Sequence, residues 1–447
     1  MPWWGWGGGA LIALGAAVLG ADVPGLNTAW FVFAWIGALL VIDGGIAASG
    51  GVAFLQGRRR ELLAMSLWSV PYWCLFEAYN LRLQNWWYVF VPHSDAGQAL
   101  LAGLAFATVL PACFLPAELL RTRGWFEQIR WRPLPLTPKA RAAIGLFGVA
   151  CVVAPLVWPR QAYPLVWGAT FGLPALGVWA WGERETPSLL RDLEDGRPAR
   201  WLQLLVGGLI AGGLWEGLNW PARARWIYTV PGLEELKLFE MPVLGFLGFP
   251  ALAVQAAAGY GLLCLLLRGG RHWSRTDAAN AARRPGRCGQ LGAMAGIVLF
   301  SILSAWLTME PQLVASRPLL TDNPHLPSPL AERVIERGWS TPERFELAVW
   351  TLGADAVAQR TGLSPQTVQE AADHAALALH KGMGSANATL LQAVGIRHPG
   401  DLRGRRASVL HGGMVIESAR TRLEPPPASV VAVWIRAAPA QGRAPHR

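Results

Sequence analysis

Residues 74–92 read CLFEAYNLRLQNWWYVFVP, and residues 213–231 read GLWEGLNWPARARWIYTVP. The stretches lie 139 positions apart. Without a gap, Leu75, Glu77, Asn80, Trp87, Val91 and Pro92 meet Leu214, Glu216, Asn219, Trp226, Val230 and Pro231, and further on Pro111 meets Pro250. Each stretch closes an apolar run and carries the chain into a polar loop. A chain that twice ends a hydrophobic run with Glu-x-x-Asn, then Trp and Pro, reads as a duplicated unit. The runs around the two stretches decide what kind.

Those runs are long. Of 447 residues 53% are hydrophobic and 15% charged, against about 25% charged in an ordinary soluble domain. That excludes a soluble enzyme, a disordered scaffold and a disulfide-stapled secreted module. Runs near the ~20 residues needed to cross a bilayer fall at roughly 5–21, 29–55, 62–79, 97–119, 142–158, 163–182, 201–219, 241–267 and 289–308. The first lacks a positive flank and has a counterpart later in the chain, so it reads as a membrane helix rather than a secretory signal. The expected fold is all-α: about nine spans in two four-span repeats plus one helix, followed by a soluble helical domain. Residues 1–120 form the first membrane repeat, 121–268 the second, 269–308 a basic loop and ninth helix, 309–325 a linker, and 326–447 the C-terminal domain.

The basic residues, 36 Arg and 3 Lys, are distributed as topology signals. Loops around 57–61, 121–141, 183–200 and 268–287 hold 3, 6, 4 and 6 of them, whereas loops around 22–28, 80–96, 159–162 and 220–240 hold 0, 1, 1 and 3. Positive segments near spans resist translocation. The first set, and with it the N-terminus, is therefore expected in the cytoplasm of a bacterial inner membrane. Everything after about Thr308 is then expected in the periplasm or outside.

Cys74, Cys113, Cys151 and Cys264 lie inside apolar runs and Cys288 opens another. None stands at metal-ligand spacing, and the histidines are scattered, so no disulfide framework, metal site or cofactor is expected.

An even number of spans per repeat makes the repeats parallel, related by an axis along the membrane normal. Arg60 and Arg200 mark the cytoplasmic edge, and the helix rise from them puts Glu77 and Glu216 about 25 Å into a core of about 30 Å. Asn80 and Asn219 follow one turn on. Trp87, Trp226 and Tyr228 are expected at headgroup depth, where aromatic belts are an ordinary feature of polytopic proteins. Ionisable groups inside spans usually serve a pathway or a site; the competing reading is a packing contact between the two halves. Glu240 opens the eighth span on the same side as Glu216 and joins the candidate ligand-binding set. Asp43, near the middle of the second span, reads either as a satisfied structural acid or as a proton or cation relay.

The membrane segments resemble uncharacterised bacterial polytopic membrane proteins. They are also similar, over a short stretch, to the membrane-bound lycopene cyclases, in which a helix-end acid precedes a Trp-x-aromatic loop and a later Pro-Glu-Glu segment. Glu216, the Trp226 to Tyr228 stretch and Glu234 with Glu235 echo that layout, although Gly232 and Leu233 interrupt the Pro-x-Glu-Glu order. The resemblance implies a membrane enzyme acting on an isoprenoid or carotenoid.

In KGMGSANATLLQAVGIRHPGDL, Gly382 and Gly384 make a tight hairpin, and Ala388, Leu391 and Ile396 supply a packed face. A degenerate copy lies earlier, in LPSPLAERVIERGWSTPERF: Ala331, Val334, Gly338, Trp339, Pro342 and Phe345 align with Ala388, Leu391, Gly395, Ile396, Pro399 and Leu402. This part resembles a helix-hairpin-helix family of unknown function. Such hairpins can hold a nucleic-acid phosphate on backbone N–H groups. However, Pro327 and Pro329 remove donors, and residues 309–447 carry 15 basic against 12 acidic side chains. Nucleic acid is therefore the less favoured partner. A protein partner or self-association is favoured, and Arg403, Arg405 and Arg406 form either a solvated face or a contact to anionic headgroups.

The expected function is that of an integral membrane protein binding or moving a lipid-like, isoprenoid-like or other amphipathic small molecule at the outer leaflet. Glu77, Asn80, Glu216 and Asn219 are its polar contacts. The alternatives are a membrane enzyme using Glu216 as a general acid, an assembly factor that displays the C-terminal domain, and an external DNA receptor.

Overall fold

The computed structural model describes residues 1–23, 25–159, 188–230, 236–268 and 307–439, with a few single positions between them. The chain is mostly helical and divides into two compact units. The first comprises Met1–Asn85, Ala96–Ala222 and Val230–Pro311; the second comprises Trp86–Asp95, Arg223–Thr229 and Gln312–Arg447. The two segments 86–95 and 223–229 thus leave the helical part of the chain and fold with the C-terminal residues.

In the first unit, α1 (Trp3–Gly20) lies against α2 (Trp30–Ala48). Glycines set their spacing. A Cβ on Gly8 would come 2.5 Å from the Gly37 carbonyl oxygen, and one on Gly37 would come 2.6 Å from that of Gly8. Such close backbone approach is how helices associate where water drives nothing together. The apolar run 29–55 is not one helix. α2 stops at Ala48, the chain turns through Ser49, Gly50 and Gly51, and α3 (Phe54–Gly57) leads into α4 (Arg59–Leu83). Asp43 therefore stands near the end of α2. Its carboxylate accepts the Phe54 N–H at 2.7 Å and the Leu55 N–H at 3.2 Å, which satisfies the first donors of α3.

After α4 come α5 (Asp95–Phe106), α6 (Val109–Thr122), α7 (Pro138–Val157), α8 (Leu189–Glu194), α9 (Ala199–Asn219) and α10 (Gly248–Arg268). Thr137 caps α7 by accepting the Ala140 N–H, with Pro138 at the first helical position, where a missing N–H costs nothing. A short ribbon of β3 (Lys237–Leu238) and β4 (Met241–Pro242) precedes α10.

Six helical stretches among the described residues are long and apolar enough to cross a membrane: Trp3–Gly20, Asn27–Ala48, Asp95–Thr122, Pro138–Val157, Ala199–Asn219 and Val243–Cys264. α4, which contains the expected span 62–79, has the length at 25 residues but is not among the six. Glu61, Glu77, Asn80 and Arg82 dilute its apolar character. The expected spans 163–182 and 289–308 lie largely outside the described residues.

The second unit holds the strands that the helical reading did not foresee. β1 (Trp86–Val91) pairs antiparallel with β2 (Arg225–Tyr228) and parallel with β5 (Leu313–Ser316), in the order β2-β1-β5. The runs WWYVFV and RWIY are aromatic and β-branched, the composition that favours a pleated, half-buried surface. The helices are α11 (Leu330–Glu336), α12 (Pro342–Leu352), α13 (Ala354–Thr361), α14 (Pro365–Leu379), α15 (Gly384–Ala393), α16 (Ala407–Thr421) and α17 (Ala428–Arg436). They bury two cores. One gathers Leu326, Val334, Phe345, Val357 and Val368. The other gathers Leu377, Met383, Leu391, Met414 and Trp434 around Trp87, Val89 and Ile227 of the sheet.

Candidate functional site

Within the first unit, aromatic rings meet where α2, α4 and α9 converge. The Trp215 ring lies edge-on to Phe31 and to Trp35, each with centroids 4.8 Å apart, and stands 6.3 Å from Trp73. With Phe249 of α10 and Val109, Ala112 and Cys113 of α6, Trp35, Trp73 and Trp215 line a half-open apolar cleft. Small residues of α9 complete the wall: Gly208, Ala211 and Gly212.

Glu77 sits one helical turn from Trp73, fully buried. Its Oε1 accepts the Trp73 indole N–H at 2.7 Å, so the carboxylate fixes one wall of the cleft. Asn80 is buried too, and its side-chain oxygen accepts the Asn85 N–H at 2.7 Å while Gln84 takes a left-handed conformation at φ 54°. Asn80 thereby closes the C-terminus of α4. Glu216 and Asn219 are fully buried in the last turns of α9, where the Leu218 carbonyl accepts the Trp30 indole N–H at 3.0 Å. Glu240 is buried in the two-residue turn between β3 and β4, after Phe239 at φ 60°. Phe239 lies 6.0 Å, ring to ring, from Trp220.

A second acid is held by arginines. Glu118, 1% exposed, pairs with Arg58 at 2.7 Å and with Arg121 at 2.8 Å, and Arg58 stacks 3.9 Å over the Phe54 ring. This cluster braces the turn that Asp43 caps, with Arg58 also donating to the Val52 carbonyl.

The remaining candidates belong to the second unit. Trp87, Trp226 and Tyr228 are buried in it, and the Trp226 indole donates to the Tyr228 hydroxyl at 3.0 Å. The ladder brings Trp86 opposite Tyr228, Trp87 opposite Ile227, Tyr88 opposite Trp226 and Val89 opposite Arg225. Gly382 and Gly384 take φ of 78° and 76°, with Lys381 at 46°. A Cβ on Gly382 would collide with Val89, and one on Gly384 with Ala315. The hairpin therefore seats on β1 and β5. Arg317, just after β5, donates its N–H to the Val91 carbonyl at 3.0 Å and pairs with Glu343 at 3.0 Å. Its own carbonyl contacts the His93 ring at 2.5 Å.

At a few aligned positions the hairpin segment and its degenerate copy agree. Gly338 and Gly395 have φ of 86° and 85°. Ala331 and Ala388, Val334 and Leu391, and Phe345 and Leu402 are each fully buried.

The sequence reading thus identified the buried acids and amides, whereas Trp35, Trp73, Trp215 and Phe249 escaped it. Trp35, Trp73 and Phe249 carried a signal, falling inside apolar runs rather than at the ends, where interfacial aromatics stand; Trp215, beside Glu216 in the last turns of its helix, did not. Among the described residues no cluster of His, Cys, Asp and Glu is suited to a metal.

Residues 330–441 match the family model of a domain of unknown function (DUF4332), in the part of the chain where the sequence resembles such a family. No curated protein and no solved structure matches the chain.

Proposed function

We propose that this is a multi-pass protein of a bacterial inner membrane, built of two parallel four-span repeats and a ninth helix, that holds an apolar or amphipathic small molecule between the repeats. The observation that carries the reading is the composition of the cleft. Two pairs of its lining residues stand 139 positions apart: Trp73 with Gly212, and Cys113 with Leu252. Packing follows the same offset. Ser69 of α4 hydrogen-bonds the Leu110 N–H at 3.0 Å, and Gly208, its counterpart on α9, approaches the carbonyl of Phe249, the counterpart of Leu110. Parallel-repeat transporters also place their sites at the repeat interface. A wall of three indoles and a phenyl ring with almost no polar surface suits a hydrocarbon or isoprenoid chain.

The topology reading gains support from the sheet. Segments 225–228 and 313–316 each pair with 86–91, which supports the expectation that all three lie on one side of the membrane. Nine spans with a cytoplasmic N-terminus put the loops 80–96 and 220–240 and the residues after Thr308 on the same, outer side.

In this reading the C-terminal domain is a helix-hairpin-helix module whose glycine hairpin grips protein. The hairpin face that would take a phosphate is seated on Val89 and Ala315, which favours a protein partner over nucleic acid. A scaffold function is the competing reading, and the Glu77–Trp73 bond favours it to this extent: burial of Glu77 has an architectural use without any ligand.

The test is native mass spectrometry of the purified full chain. Wild type is expected to carry one enriched apolar species, and an Ala211→Phe variant, which fills the cleft, is expected to lose it at equal folded yield. Identical bulk-lipid profiles for the two proteins would refute the ligand site.

A further inference from the structure

The connection between α6 and α7 carries aromatic and cationic side chains in an arrangement that the cleft does not use. Residues 121–141 read RTRGWFEQIRWRPLPLTPKAR, with Glu127 as their one acid. The backbone is pinned. The Trp131 N–H donates to the Gly196 carbonyl at 3.0 Å, the Leu134 N–H to that of Leu193 at 3.2 Å, and the Gln203 side chain donates to the Trp125 carbonyl at 2.9 Å. With the main chain tied to the segment around α8 and α9, the side chains are left outside: Trp125 and Trp131 are each 50% exposed, Leu134 56% and Ile129 37%. Arg123, Arg130 and Arg132 lie among them, exposed or partly so. Arg123 touches the Ser49 hydroxyl at 3.2 Å, and Arg130 turns back to the carbonyls of Glu127 and Ile129. Arg121 is the exception, engaged with Glu118.

Two exposed indoles and two exposed aliphatic side chains on a water-facing loop are costly. Here, however, α6 and α7 both belong to span-length apolar stretches, Asp95–Thr122 and Pro138–Val157. The short connection between them, 123–137, starts and ends at one face of the bilayer. Indoles favour the headgroup layer, and guanidinium groups favour anionic headgroups, whose phosphates they meet through paired N–H donors.

We propose that residues 123–134 are a bilayer-surface anchor that lies in the headgroup layer of its leaflet and recognises anionic phospholipid. Arg123, Arg130 and Arg132 meet the headgroups, while Trp125, Ile129, Trp131 and Leu134 enter the acyl boundary. The proposal rests on membrane insertion of α6 and α7 and is independent of the cleft. It also gives the excess of arginine in this loop a direct function beside its effect on orientation.

The test uses the full chain in vesicles with a nitroxide at Ile129→Cys, in a Cys288→Ser background. A second label at Leu146→Cys, on the exposed side of α7, serves as the control for insertion. In phosphatidylcholine vesicles containing phosphatidylglycerol, the Ile129 label is expected to be shielded from a water-soluble nickel chelate and accessible to oxygen. In phosphatidylcholine alone, its nickel accessibility rises several-fold. The same rise is expected with phosphatidylglycerol in an Arg123→Gln, Arg130→Gln, Arg132→Gln variant, whose substitutions lie outside the packed core. High nickel accessibility in both kinds of vesicle overturns the proposal. Equal shielding in both overturns it as well, because the contact would then be apolar or made to protein. A Leu146 label open to nickel would count against membrane insertion itself and not against the anchor alone.

Discussion

Trp86 stands opposite Tyr228 in the antiparallel ladder of β1 and β2. In the alignment of the two halves, Tyr228 is the counterpart of Val89 and Arg225 the counterpart of Trp86. Val89 stands opposite Arg225. The inner pairs repeat the relation: Trp87 opposite Ile227 and Tyr88 opposite Trp226. The paired segments 86–89 and 225–228 thus stand at the same 139-residue offset that aligns Glu77 with Glu216.

The first prediction is a cross-link. Opposed residues in an antiparallel pair have Cα atoms about 4.5–5.5 Å apart, within the range that a disulfide spans. A Trp86→Cys, Tyr228→Cys variant is expected to form an intramolecular disulfide in growing cells without added oxidant, since bacterial disulfides persist in the periplasm and not in the cytoplasm. Mobility on non-reducing gels checks it. A thiol pair that stays reduced in cells but closes with oxidant after purification would place these loops on the cytoplasmic side.

The hairpin glycines give the second. Gly382→Ala and Gly384→Ala each force a Cβ into a left-handed backbone, costing about 1–2 kcal/mol, and press it into a packed neighbour, costing about 1–3 kcal/mol. Each variant is expected to lose roughly 2–5 kcal/mol of second-unit stability, read by denaturant unfolding. Relief is expected from the side chain opposite, so Val89→Ala restores part of the loss in Gly382→Ala and not in Gly384→Ala. Equal effects of Val89→Ala in both backgrounds would refute the seating of the hairpin on β1.

Much of this was legible in the sequence where the signal is local. Apolar runs, the Glu-x-x-Asn repeat and the positive-φ hairpin glycines all announce themselves within a few residues. What was hidden depends on partners far along the chain. Nothing near Trp87 says that its strand pairs with segments 225–228 and 313–316. Asp43 reads as mid-span because residues 29–55 are apolar throughout, and only the fold shows the reversal at Ser49–Gly51 that turns it into a cap. The cleft exists only once α2, α4, α6, α9 and α10 pack, and no single stretch contains it.

A third prediction concerns pH in the second unit. Burial, with the neighbouring charge of Glu343 as a smaller cause, pushes the Glu346 carboxyl up to about 7 from its ordinary 4.5. Burial, reinforced by His325, lowers His374 from 6.5 to about 4. The folded state thus holds the Glu346 proton more tightly than the unfolded state, so stability falls as pH rises from about 4.5 to 7 at up to about 1.4 kcal/mol per unit. His374 acts in the opposite sense: its folded state resists protonation, and stability falls as pH drops from about 6.5 to 4. Across the overlap the two slopes offset one another. Glu346→Gln is expected to expose a stability that rises from pH 4 to 6.5, and His374→Gln one that falls from pH 4.5 to 7. Amide exchange in α12 and α14 measures both. A pH dependence that neither substitution changes would show that these groups do not set it.

The fourth prediction separates the two uses of Glu77. Glu77→Gln keeps a carbonyl oxygen where Oε1 accepts the Trp73 indole N–H, removes the charge and puts an amide NH2 in place of the second oxygen. Glu77→Leu removes the acceptor and leaves a buried N–H unsatisfied, at a cost of about 1–3 kcal/mol. If Glu77 serves to hold the cleft wall, the Gln variant melts and retains its apolar ligand as wild type does, while the Leu variant melts lower and loses the ligand. Its fluorotryptophan resonance for Trp73, assigned with Trp73→Phe, shifts as the ring is released. If instead the carboxylate itself meets the ligand or passes a proton, the Gln variant folds and melts normally but no longer retains or processes the bound molecule. Melting curves, the Trp73 resonance and ligand retention respond differently in the two cases, because the indole tether needs an oxygen at that position and chemistry on the ligand needs the charge.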